Sequence, residues 1–95
     1  MTVVGKQILE KFIKKHARAG TSLRPWLAEA ECADWKTTQD IKDRFNSADF
    51  LSGNRVVFNI GGNRFRLVVI AYYTAGILKI DRIGTHAEYD KWNLQ

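Results

Sequence analysis

In 95 residues the chain has one cysteine, one proline and one methionine. Cys32 cannot close an internal disulfide, and its place between Glu31 and Ala33 reads as a small packing residue on a helix. A reducing compartment, the cytoplasm, is the expected setting. No segment approaches the roughly 18 consecutive apolar residues of a bilayer span, and residues 1–20 lack the apolar run of a secretion signal, so no membrane partner is expected. His16, His86 and the single cysteine give no metal-ligand spacing. The glycines of "NIGGN" are followed by a strand pattern instead of the Gly-Lys-Ser/Thr and helix of a phosphate-binding loop. Ser22, Ser47 and Ser52 fall at caps and in loops and not on a strand-to-helix elbow, which argues against a nucleophilic triad. The expectation is therefore no metal and no cofactor.

Acids are missing from one part of the chain. Fifteen Lys and Arg stand against ten Asp and Glu, a net charge of +5. Residues 50–80 contain Arg55, Arg64, Arg66 and Lys79 with no acid, and residues 1–20 carry five bases against one acid. The acids collect in residues 21–49. A basic, acid-free surface favours a polyanion, because each neutralised phosphate releases counterions. At this length, with 45% hydrophobic residues, residues 1–95 fit one small domain with a thin core and a surface site.

Val4, Ile8 and Phe12, flanked by Leu9 and Ile13, predict a helix over about residues 3–18. Its Lys11, Lys14, Lys15 and Arg18 fall at i, i+3, i+4 and i+7, either a solvated face or a stripe touching phosphates. Gly20 is expected to end that helix. Thr21 or Ser22 would start the next, with Pro25 in its first turn and Leu23, Trp26, Leu27 and Ala30 facing a core. Thr37 with Asp40 predicts the cap of a third, shorter helix bearing Ile41 and Phe45. Trp26 and Trp35 read as core or rim aromatics, and "NSADFLSGN" as a loop.

From Arg55 the hydrophobic period changes from 3.6 to 2. Val56, Phe58 and Ile60 face one way, as do Phe65, Leu67, Val69 and Ala71. A two-residue Gly61-Gly62 hairpin would set Asn59 opposite Arg64 and Val57 opposite Arg66. Arg64 and Arg66 then lie on the face away from the core. A third strand over Ile77 to Gly84 brings either Lys79 or Arg82 to that face, because a one-residue slip reverses every side chain. Thr85 and Glu88 predict a capping box on a short terminal helix, on which Asp90 is spaced to orient His86 beside Tyr89.

These groups match what metal-free RNA cleavage requires. The 2'-hydroxyl must lose a proton, the phosphorane's charge must be stabilised and the 5'-oxygen must be protonated. Arginines serve the second need, and His86, a side chain of the type that titrates near neutrality, or Tyr89 serves the others. Arg64, Arg55, Lys79, Lys91, Lys11, Lys14, Lys15 and Arg18 are the candidate RNA contacts. Anion binding without chemistry is equally compatible with the same residues.

The run "RVVFNIGGNRFRLVV" followed by "IGTHAEYDKW" resembles the HigB toxins of bacterial type II toxin–antitoxin modules, relatives of the RelE-like ribonucleases. "PWLAEAECADW" and "SADFL" fall in the expected order, so the resemblance covers nearly the whole chain. It implies an α+β fold: a RelE-like compact domain with N-terminal helices packed on a twisted, mainly antiparallel sheet and a short C-terminal helix. It also implies an mRNA interferase acting on the ribosome to arrest translation and growth. The implied partner is a HigA-type helix-turn-helix antitoxin, through which alone operator DNA is contacted. The matching residues are Asn59, Gly62, Asn63 and Arg66, then Thr85, His86, Glu88, Tyr89 and Asp90. Among them the resemblance implies Arg66 for phosphate stabilisation, and Tyr89 and His86 beside the cleaved ribose. Relatives often have a basic residue where this chain has Asp81, which leaves open whether Arg82 substitutes for it or the third-strand cation is lost. Two rival readings are a non-cleaving RNA- or ribosome-binding module and a gyrase-inhibiting toxin of related fold.

Overall fold

The computed structural model describes residues 1–92. The chain opens with a short strand, β1 (Thr2–Val4), and then two helices, α1 (Lys6–Lys15) and α2 (Ala17–Cys32). This corrects the single helix expected over residues 3–18. Val3 and Val4 are β-branched and pair with a distant strand. Gly5 turns the chain with φ +86°, and His16 breaks the helix with a non-helical backbone, φ −130° and ψ 81°. Gly20 does not end a helix but lies buried inside α2, where a Cβ would come within 3.2 Å of Ile13 Cγ2. Its role is close approach of α1 and α2. Pro25 sits mid-helix and not in a first turn, so it withholds the N–H that would reach the Thr21 carbonyl. Cys32 ends α2 and is exposed, which corrects its reading as a packing residue.

α3 (Thr38–Arg44) starts at the expected Thr37–Asp40 capping box. The segment read as a loop contains a strand, β2 (Asp49–Leu51), which turns through Gly53 and Asn54, both with positive φ, into β3 (Arg55–Ile60). β4 (Phe65–Tyr72), β5 (Ile77–Thr85) and α4 (His86–Lys91) complete the chain. The five strands run β1-β5-β4-β3-β2, antiparallel except for the β1–β5 pair.

Period-2 patterning sends Val56, Phe58, Leu67, Val69, Leu78 and Ile80 to an inner face under α1, α2 and α3. Phe58 is its centre, with the rings of Trp26 and Phe45 each 5.2 Å from its own. The expected core roles of Trp26 and Trp35 hold. α4 lies on the opposite face, where Tyr89, Trp92 and Leu51 cover a second small cluster of Val57 and Val68. Among the described residues no helix is long and apolar enough to cross a membrane.

Two details of register differ from expectation. The β3–β4 turn takes four residues, Gly61 to Arg64, with positive φ at Gly61, Gly62 and Asn63. Asn59 therefore pairs with Arg66, and Val57 with Val68. The shift is even, so the faces are unchanged, but Arg64 leaves the strand for the exposed turn. On β5, Val68 pairs with Arg82 and Val69 with Ile80, leaving Asp81 as a bulge. The extra residue flips the alternation, and so both Lys79 and Arg82, not one of them, share the face of Arg66.

Candidate active site

Arg66 projects from β4 on the outer face, between Asn59 of β3 and Gly84 of β5. It is 9% exposed and is the one charged residue in the buried set among the described residues. Its Nη1 donates to the backbone carbonyls of Asn63 at 3.2 Å and Phe65 at 3.5 Å. Among the described residues no carboxylate comes within ion-pair distance of it. A largely desolvated guanidinium held by neutral carbonyls keeps donors free for an anion, and its planar fork matches the oxygens of a carboxylate or a phosphate.

α4 roofs this arginine. Its capping box is complete: Thr85 N–H donates to Glu88 Oε1 at 2.8 Å, and Glu88 N–H to Thr85 Oγ1 at 3.2 Å. The bond from the Thr85 backbone holds the Glu88 carboxyl below its ordinary range, helped by the Thr85 hydroxyl and the charges of His16 and Lys15. The His86 N–H donates to the Arg64 carbonyl at 3.0 Å, tying the helix start to the β3–β4 turn. Tyr89 then lies with its ring 5.7 Å from the Arg66 guanidinium carbon.

Trp92 just beyond α4 extends the roof, its ring 5.9 Å from that of Tyr89 and 5.2 Å from the Arg82 guanidinium carbon. Arg66, Tyr89, Trp92 and Arg82 form a row in which two neighbouring rings lie between two cations. Gly84 makes the row possible, since a Cβ there would meet Trp92 ring atoms at 2.7 and 2.8 Å. Sequence reasoning passed over Trp92; its signal was the three-residue spacing from Tyr89, which places both on one side of the chain.

His86 Nδ1 lies 3.1 Å from Asp90 Oδ2, the pairing its i, i+4 spacing suggested. Arg82 is half exposed and 3.5 Å from Asp81. Arg55 and Lys79 share the outer face but pair across Ile70, four residues and thus roughly 13 Å along β4 from Arg66. Arg55 is held locally by Ser52. Arg64 and Lys91 are exposed at the rim. The basic helical stripe is divided: Lys11, Lys14 and Lys15 lie on α1 and Arg18 on α2, in the layer across the sheet from Arg66.

Helices on one face of a five-stranded mixed sheet, closed by a short C-terminal helix, are consistent with the RelE-like fold, that of the toxic components of toxin–antitoxin systems. The family model of that description, HigB_toxin, matches residues 19–92. The chain belongs to the HigB toxin family. No curated protein matches it at a significant level.

Proposed function

We propose that this toxin is an endoribonuclease that cuts messenger RNA without a metal, on the ribosome, and so arrests translation and growth. The observation that carries the reading is Arg66, a buried guanidinium with no carboxylate partner among the described residues. The scissile phosphate pairs with that guanidinium, whose donors are strongest when charge builds on the phosphorane. The 2'-oxygen attacks phosphorus and the 5'-oxygen leaves, giving a 2',3'-cyclic phosphate and a 5'-hydroxyl end. His86 Nε2 and the Tyr89 phenol handle the two proton transfers, at the 2'-hydroxyl and the 5'-oxygen. Arg82 and Lys79 hold neighbouring phosphates on the same face, and Arg64, Lys91 and Arg55 extend the contact at the rim. The partner is a HigA-type helix-turn-helix antitoxin, which alone touches operator DNA, and the setting is the cytoplasm.

Pulsed expression in bacteria with primer extension on an abundant transcript tests this. New 5' ends within the coding region, absent with Arg66→Ala, are the expected result. Growth arrest without new ends, equally strong in Arg66→Ala and Tyr89→Phe, would overturn it in favour of passive ribosome binding or gyrase inhibition.

A further inference from the structure

The outer edge of β5 is only partly covered. β1 pairs with Ile77, Leu78 and Lys79 and stops, and Gly5 then closes over the backbone of Ile80. From Asp81 to Gly84 the strand has a strand neighbour on the β4 side alone. An open edge presents backbone donors and acceptors at the spacing another strand requires. The one acid on this edge, Asp81, is engaged by Arg82.

A groove of about 250 Å³ runs beside that edge, lined by Ile8, Lys11, Phe12, Lys15 and Ile83. The four α1 residues fall at i, i+3, i+4 and i+7, so they form one stripe, and half-buried Ile83 supplies the opposite wall from the open edge itself. Lys11 and Lys15 are exposed and make no ion pair among the described residues. The floor is aliphatic apart from Phe12, whose ring is occupied by His16 and Phe65, so it offers a nucleobase no stacking platform.

We infer that this groove and edge seat the antitoxin, through an extended segment that alternates apolar and acidic side chains. The segment adds a strand to β5, in line with β1. Its apolar side chains fill the space between Ile8, Phe12 and Ile83, and its acids meet Lys11 and Lys15. Main-chain bonds supply affinity in such an arrangement and the side-chain pockets supply selectivity. Lysines beside a free edge also guard it against self-pairing, but that role alone predicts self-association on charge reversal and no loss of partner binding. The inference rests on the family's toxin–antitoxin character and not on RNA cleavage.

The test uses the full chain and the product of the reading frame adjoining its gene. Affinity is measured by titration for the wild type and for Lys11→Glu/Lys15→Glu, with amide hydrogen exchange on the free and bound toxin. Weakening by about tenfold or more, slowed exchange at Arg82–Gly84 on binding, and recovery when an acid of the partner is changed to lysine are expected. Unchanged affinity with protection elsewhere would overturn the proposal. So would a double variant that keeps the partner but loses affinity for a labelled RNA oligonucleotide, which would assign the groove to RNA. Absence of any wild-type complex would overturn it together with the choice of partner, while transcript 5' ends report separately on cleavage.

Discussion

Arg66 has an environment that its neighbours dictate. It is desolvated by the strands on either side and by Tyr89 above, yet receives only carbonyl oxygens. Arg66→Ala should lower single-turnover cleavage about 100- to 1000-fold, the usual effect of removing one donor to a developing oxyanion. Tyr89→Phe keeps the ring over the guanidinium and removes only the hydroxyl. It should cost about 100-fold in rate with RNA affinity unchanged, as gel shift with a non-cleavable 2'-deoxy substrate would show. At Gly84 the constraint is steric. Gly84→Ala places a methyl inside the van der Waals radius of the Trp92 ring, and should lower stability by about 1–3 kcal/mol while changing Trp92 fluorescence. At this scale much of the site was legible. Period 2 put Arg66 on the outer face, and the error in hairpin length was even and so harmless to that face. Trp92 and Gly84 were not legible, because their link is a contact between a strand glycine and a ring eight residues on, with no period to announce it.

At the scale of elements, α4 is a short helix whose start is held by its cap and whose underside is held by Val57 and Val68. Thr85→Ala should destabilise the fold by about 0.5–2 kcal/mol, read from the denaturation midpoint. The Glu88 carboxyl is depressed by the Thr85 N–H, so the charged form is favoured in the folded state. Its contribution is present above the ordinary value of 4.5 and is lost as pH falls through the lower folded value. Protection factors of amides 86–91 should fall on acidification below about pH 4.5 before those of the β3–β4 amides; simultaneous opening would contradict a local cap. Both capping boxes were legible because the pattern is local. β1 was not, since its pairing with β5 spans more than seventy residues of chain. Nor was the helix break at His16, because Gly20 carried the stronger stop signal while serving as a contact against Ile13. The bulge at Asp81 escaped because the charged pair Asp81-Arg82 between Ile80 and Ile83 fits either register.

Across the whole molecule, one sheet separates two jobs. Its inner face builds the core around Phe58, and Phe58→Ala should cost about 3–5 kcal/mol. Its outer face collects Arg66, Arg82 and Lys79 on a chain of net charge +5. If these three cations each neutralise one phosphate, RNA affinity should fall with salt at a log–log slope of about −2, and Lys79→Ala should reduce the slope by about 0.7. The most direct measurement is single-turnover cleavage of a defined messenger RNA on programmed ribosomes by purified toxin, wild type against Arg66→Ala, with the product ends identified chemically. Cleavage giving 5'-hydroxyl and 2',3'-cyclic phosphate ends, slowed at least about 100-fold in the variant, is the predicted result. Products bearing 5'-phosphate ends, or equal rates for the two proteins, would contradict the assignment of Arg66 to the phosphorane.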